Sequence, residues 1–447
     1  MNNDHSKSNN VYILAISFIS ALGGYLFGFD FAVIAGALPF LRVQFVLDAW
    51  SEGFLTGSLG LGCIIGCLFA GQFTDRYGRK PGLLLAAALF AFSSAGMAIA
   101  NSFSFFVTMR LVAGIGVGMA SMLSPMYIAE VSPAAVRGRN VAINQLTIVI
   151  GILVTNLINY KLADYGADAW RWMFGSGVIP AVLFFLGVLW LPESPRWLIK
   201  AGKIARAKAI LTKISNDTIA ENSAKEIESS LNAGSKETKS VFEKSIRPAV
   251  IIGISLAVFQ QLCGINVVFN YTSTIFESAG SNLDRQLFET ISIGVVNLLF
   301  TLVAMWQVDK LGRRPLMLIG SLGLSIVYII LAFLLQNNFG AGWISVFVLM
   351  AIAIYATSLA PVTWILISEI FPTRIRGKAT SLAIVCLWAS YFILVFTFPI
   401  LAEKLGTYGP FYLYAVVCLL AFFFIKRKVY ETKGKTLEQL EQSINFH

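Results

Sequence analysis

The stretch GQFTDRYGRK (Gly71–Lys80) has a second copy, WQVDKLGRRP (Trp306–Pro315), and this pair decides the architecture. Both copies lie between long apolar runs, and each places an acid, three basic residues and a Gly in a tight turn. Two more matches follow. AEVSPAAVRGR (Ala129–Arg139) recurs as SEIFPTRIRGK (Ser368–Lys378), with Glu130 seven residues before Arg137 and Glu369 seven before Arg376. PESPRWL (Pro192–Leu198) has a weaker partner in YETKGKTL (Tyr430–Leu437). The offsets are 234 from Asp75 to Asp309, 239 from Glu130 to Glu369 and 238 from Glu193 to Glu431. Three matches at nearly one offset are not expected by chance, so the chain reads as two copies of one unit.

The bulk composition says what that unit is. The 447 residues are 57% hydrophobic and 13% charged, with a mean hydropathy of +0.73; soluble domains carry about 25% charged residues. Apolar runs of about 20 residues are each long enough to cross a bilayer. Spans are expected at about 11–37, 52–73, 81–100, 104–127, 141–160, 172–191, 247–276, 288–308, 315–335, 343–367, 380–400 and 410–428. Backbone groups in hydrocarbon must be satisfied internally, and nothing alternates with period two, so these are helices. The expected fold class is an all-α membrane protein, 12 transmembrane helices in two pseudo-symmetric six-helix bundles. Its divisions are a first bundle (1–199), a linker with short helices (200–246), a second bundle (247–428) and a tail (429–447). Gly60, Gly62 and Gly66, and Gly114, Gly116 and Gly118, offer small faces for close helix approach.

The net charge of +10 is a topology signal. With the N-terminus cytoplasmic and twelve spans, Arg42, Lys161, Arg171, Arg285 and Lys404 fall outside and Arg110 within a span, leaving 28 of the 34 Lys and Arg inside. That is the positive-inside asymmetry, and it leaves no need for a nucleic-acid partner. Cys63, Cys67, Cys263, Cys386 and Cys418 all lie in apolar spans and read as packing residues. His5 and His447 sit at the chain ends, so no His relay or metal site is available. LGLGCIIG lies inside a helix with no preceding strand, so it is not a dinucleotide loop. No cofactor, metal or enzyme activity is expected.

Charged groups fall in two places. Asp75, Arg79, Glu130, Arg137, Glu193 and Arg196 in one half, and Asp309, Arg313, Glu369, Arg376 and Glu431 in the other, can form ion clusters at the cytoplasmic face. They read either as topology charges and helix caps, or as latches of an inner gate that separate when the outer side closes. Asp30 and Arg110, by contrast, lie inside spans. A charge there costs at least ~2.5 kcal/mol on lenient scales, so a functional role is the default. The plain alternative is a permanent buried pair.

The residues GGYLFGFDFAVIAG (23–36), DRYGRK (75–80), RLVAGIGVGM (110–119), PESPRWL (192–198), QQLCGINVVFNY (260–271), DKLGRRP (309–315), SEIFPTRIRGKA (368–379) and ETKGKTLEQLE (431–441) cover nearly the whole chain. On them the chain resembles the sugar porter family of the major facilitator superfamily, proton–sugar symporters and glucose facilitators. The resemblance implies alternating access around a central sugar site, with Asp30 at the position of the acid in proton-coupled members and Arg110 as its partner. It also implies sugar ligands at Gln145, Gln260, Gln261, Asn266, Asn297 and Trp364. Amides both donate and accept, which suits hydroxyls. Gln261 and Asn266 lie about 140° apart on an ideal helix, so they converge only if the helix breaks, which Gly264 permits. Phe27, Tyr271 and Trp388 look like aromatic walls or an outer lid. The chain departs from relatives at Ile152, Gly177, Asn270 and Leu387; Gly177 stands where some bacterial symporters carry a second acid.

The expected function is import of a monosaccharide with protons by a monomer in the cell membrane, both termini cytoplasmic. A passive facilitator and a sugar sensor of the same fold are the alternatives; the buried acid argues against the first, and the short tail against the second.

Overall fold

A computed structural model describes residues 10–133, 136–215, 217–234, 243, 246–371 and 375–433. It is helical, with no strand among those residues. The first half contains α1 (Asn10–Phe45), α2 (Ala49–Tyr77), α3 (Arg79–Ala98) and α4 (Phe103–Val131), then α5 (Arg137–Leu162), α6 (Ala169–Ser176) and α7 (Val178–Trp190). Three short helices follow: α8 (Pro195–Lys200), α9 (Ile204–Ile214) and α10 (Asp217–Gly234). The second half opens with a span in three pieces, α11 (Arg247–Leu262), α12 (Ile265–Asn270) and α13 (Thr272–Ser278). It continues through α14 (Leu283–Leu311), α15 (Arg313–Gln336), α16 (Ala341–Thr357), α17 (Leu359–Ile370), α18 (Arg376–Leu405) and α19 (Gly409–Lys428).

Among the described residues eleven helical stretches are long and apolar enough to cross a membrane, and one of them, Arg137–Trp190, turns through a 3-10 segment at Ala163–Asp168 to make two crossings. The molecule is thus two six-helix bundles. They meet along α2 against α18 and α5 against α14. The linker helices α8–α10 share a small apolar cluster of Leu198, Ile199, Ala207, Leu211, Ala220 and Ala224. Residues 216, 235–242, 244 and 245 of the expected linker, and the expected tail past 433, lie outside the described residues.

One expectation changes. The stretch 38–51, between the first two expected spans, is mostly helix: α1 runs on to Phe45, and α2 begins at Ala49 with Asp48 as its cap, accepting from the Ser51 N–H at 2.8 Å. The end of α1 opposite the linker, hereafter the far end, therefore carries Arg42 on a helix.

The twin turns are the same device built twice. Gly78 and Gly312 take φ of +106° and +90°, a region that residues with a Cβ avoid. Glu193 then caps the start of α3, accepting from the Arg79 N–H at 2.9 Å and the Lys80 N–H at 3.2 Å. Glu431 caps α15 in the same way, from Arg313 at 3.0 Å and Arg314 at 3.1 Å. A carboxylate at a helix N-terminus meets unpaired N–H groups and the positive end of the dipole. Lys80 Nζ reaches the Leu189 carbonyl and Arg314 Nη2 the Lys426 carbonyl, both at 2.7 Å. Burial pushes the Glu193 carboxyl up against the pull of those N–H groups. At Glu431 partial burial pushes the same way, but four backbone N–H groups outweigh it and hold the carboxyl below its ordinary value.

A Cβ on Gly78 would stand 2.2 Å from Glu193 Oε2. Gly78→Ala is therefore expected to lower stability by about 1–3 kcal/mol, from backbone strain and the displaced cap. The midpoint of thermal unfolding in detergent checks this, and an unchanged midpoint would show that the turn tolerates a side chain.

Small residues bring α2 and α4 together. A Cβ on Gly62 would come within 2.2 Å of the Leu111 carbonyl oxygen, and one on Gly114 within 2.2 Å of that of Leu59. This packing sets Arg110 deep in the first bundle.

Candidate functional site

Asp30 on α1 and Arg110 on α4 form a direct ion pair, Arg110 Nη1 donating to Asp30 Oδ1 at 2.6 Å. Their side chains are 1% and 0% exposed. Asp30 Oδ2 and Arg110 Nε and Nη2 have no hydrogen-bond partner among the described residues. The guanidinium lies 5.8 Å from the Phe174 ring centre. Gly177 is close by in sequence to that ring, and a Cβ there would meet the Phe29 ring at 2.6 Å and Ser94 Oγ at 2.9 Å. The space that a second acid would need is filled by Phe29 and Ser94.

The seventh span breaks where its sequence allows. α11 ends at Leu262, Gly264 takes φ +88°, and α12 restarts at Ile265. The break brings the two amides together, and Asn266 Nδ2 donates to Gln261 Oε1. Gln261 Nε2 donates in turn to Gln260 Oε1 at 3.4 Å. Gln260 spends its own nitrogen on the carbonyls of Leu359 and Ala360, at 3.2 and 3.4 Å, where the tenth span breaks at Ser358. All three are buried. Asn270 is tied in behind them, Nδ2 donating to the Asn266 carbonyl at 2.6 Å and Oδ1 accepting from Tyr391 at 3.3 Å. Gln145 on α5, Asn297 on α14 and Trp364 on α17 make no side-chain hydrogen bond among the described residues. Trp364 is 40% exposed, while Asn297 is 5% exposed. Gln145 and Asn297 lie on α5 and α14, one of the two helix pairs that pack across the halves.

The aromatic wall differs from expectation. Phe27 and Trp388 meet across the halves with ring centres 5.6 Å apart, and Phe31 and Tyr391 complete the cluster, at 4.8 Å from Phe27 and 5.6 Å from Trp388 respectively. Phe31 lies one turn beyond Phe27 and Tyr391 three residues beyond Trp388, a helical spacing that could have flagged both. Tyr271 stands apart. Its ring packs on Phe398 at 4.8 Å, and its hydroxyl donates to the Val395 carbonyl at 2.9 Å. Pro399, four residues on, has no N–H to take that carbonyl. Tyr271 thus ties the seventh span to α18.

The gate charges sort into two clusters, each confined to one half. Arg79 grips Glu130 through Nε at 3.0 Å and Nη2 at 3.1 Å, and Ser194 Oγ donates to Glu130 Oε2 at 2.5 Å. Asp75 is peripheral, 59% exposed, with Arg79 at 3.5 Å and Lys200 at 3.2 Å. In the second half Arg313 reaches Glu369 at 3.4 Å. Arg137 and Arg196 are exposed and enter no ion pair among the described residues. The side chains of Asp309 and Arg376 lie outside the described residues.

Four hydrogen bonds join the halves near the far end. Arg42 donates to Glu277 at 2.8 Å and to Thr274 at 2.6 Å, Ser273 Oγ to the Ala35 carbonyl at 2.6 Å, and Asn156 Nδ2 to the Thr290 carbonyl at 2.6 Å. The far end is therefore closed while Arg79–Glu130 and Arg313–Glu369 remain formed. The expectation that these clusters separate once the other side closes does not hold for those two pairs.

Comparison with known proteins places this geometry. The model of the family described as "Sugar (and other) transporter" matches residues 16–443. A D-xylose-proton symporter of Escherichia coli (strain K12) is 39% identical over 477 residues, covering 98% of this chain and 96% of that protein. An arabinose-proton symporter of Bacillus subtilis (strain 168) is 36% identical, covering 96% and 95%. Among solved structures, the E. coli xylose transporter in a partially occluded inward open conformation superposes with a TM-score of 0.86 at 37% identity, covering 95% of this chain and 100% of that one. With a matched family model over nearly its whole length and such relatives, the chain belongs to the sugar transporter family of the major facilitator fold.

Proposed function

We propose that the chain is a proton-coupled symporter that imports a pentose or hexose by alternating access. The observation that carries this is the Asp30–Arg110 pair. A permanent strut buried in a bundle gains by satisfying all its polar atoms, because unpaired ones are costly at low dielectric. Three polar atoms of this pair have no partner among the described residues. Such a pair is suited to being made and broken. Protonation of Asp30 neutralises it, frees Arg110 and lets the bundles move; release of the proton re-forms the pair.

Sugar binds between the bundles, 1–199 and 247–428, which move as units about the linker. Gln261 and Asn266 offer amide groups from the broken seventh span, in line with binding at unwound helices in such carriers. Gln145, Asn297 and Trp364 supply polar groups that no side-chain hydrogen bond engages among the described residues. Phe27 and Trp388 cover the apolar C–H face of the ring. The basic linker end faces the cytoplasm, so the closed far end is outside and the structure faces inward. The fold works as one chain, so a monomer suffices.

External pH is measured on adding xylose, arabinose, glucose, galactose, fructose or myo-inositol to de-energised cells that express the chain. Alkalinisation with at least one of these sugars is expected. Labelled sugar entering with no pH change would make the chain a facilitator.

A further inference from the structure

The far end holds a charged cluster that the cycle above leaves unused. α1 stays helical through Pro39, whose missing N–H leaves the Ala35 carbonyl without its helical donor. Ser273 of the second half supplies one, at 2.6 Å. One turn on, Arg42 grips both oxygens of Glu52 through Nε at 2.6 Å and Nη2 at 2.7 Å, a bidentate pair inside the first half. That grip aims the guanidinium across the divide at two groups of α13, Glu277 Oε2 and Thr274 Oγ1. Glu52 is 8% exposed and Glu277 58%, so one acid anchors the arginine and the other is free to leave it for water.

We propose that Arg42 is the outer latch of this carrier, held by Glu52 and closing onto Glu277 and Thr274. Opening to the outside breaks the Glu277, Thr274 and Ser273 bonds and leaves Arg42–Glu52 whole. The latch sets how often the outer side opens, and hence how readily sugar and proton enter. This rests on the alternating-access reading above.

Arg42→Ala would strand Glu52 as a buried charge, so the informative variant is Glu277→Gln, which leaves the anchor intact. Thr272 is 1% exposed and lines a small cavity behind these bonds with Phe31, Ile152, Asn156 and Thr290, which makes Thr272→Cys a reporter. The full chain carrying it is labelled in right-side-out vesicles with a membrane-impermeant thiol reagent, without sugar or proton gradient, and the same chain lacking the reporter gives the background. Glu277→Gln is expected to raise the labelling rate about two- to five-fold. Salt at about 1 M should raise the rate with Glu277 present and add nothing after Glu277→Gln, because the screened pair is then gone. Equal rates with and without Glu277→Gln overturn the latch, as does a salt response that survives the substitution. Sugar transport can fail or succeed independently of either result.

Discussion

Asp30→Asn is expected to abolish uphill accumulation of sugar while leaving exchange of labelled sugar across the membrane. Asn keeps the size of the side chain and an oxygen to accept from Arg110 Nη1, now at 2.6 Å, but it cannot take up a proton. With one proton per sugar, a gradient of one pH unit supplies about 1.4 kcal/mol, a roughly tenfold accumulation. In Asp30→Asn the ratio should fall to one whatever the gradient. Removing one member of a buried pair can also cost about 3–5 kcal/mol, so folded protein must be measured alongside. A variant that folds, exchanges sugar and still accumulates it would leave Asp30–Arg110 as a strut and move the coupling elsewhere.

The sequence announced the parts of the molecule that are local or repeated. Gly78 and Gly312 could be read as tight turns from the repeated motif alone, although the carboxylates that cap the next helices, Glu193 and Glu431, lie more than a hundred residues on. Gly264 could be read as a break because Gln261 and Asn266 point apart on an unbroken helix. Other parts depend on helix register over long separations. Tyr271 reads as a lid from its place beside Asn270, yet Pro399, more than a hundred residues on, frees the carbonyl that claims its hydroxyl. Arg42 reads as one of five stray external charges until α1 is seen to stay helical to Phe45 and meet Glu277. Arg137 and Arg196 read as gate charges by motif alone, and their side chains are exposed. Periodicity and motif spacing carry no information about such encounters, which the packing of the seventh span on α18 and of α13 on α1 decides.

Gln261→Ala is expected to weaken sugar binding about tenfold or more without loss of expression. Gln261 is the middle of the amide chain, taking the Asn266 Nδ2 hydrogen and giving its own to Gln260 at 3.4 Å. Truncation removes hydrogen bonds to the sugar hydroxyls and leaves the Asn266 amide without its partner, and each buried loss of this kind costs about 1–3 kcal/mol. Gln260→Ala should behave differently. Its nitrogen holds the Leu359 and Ala360 carbonyls at the break in the tenth span, so its loss loosens α11 from α17 and lowers thermal stability as well as affinity. Isothermal titration with the transported sugar, paired with unfolding midpoints, separates the two. An unchanged affinity in Gln261→Ala would remove that residue from the site and leave the broken helix serving only to let the seventh span bend. A fall in affinity at constant midpoint would instead assign the Gly264 break its purpose, which is to turn two amides toward one sugar.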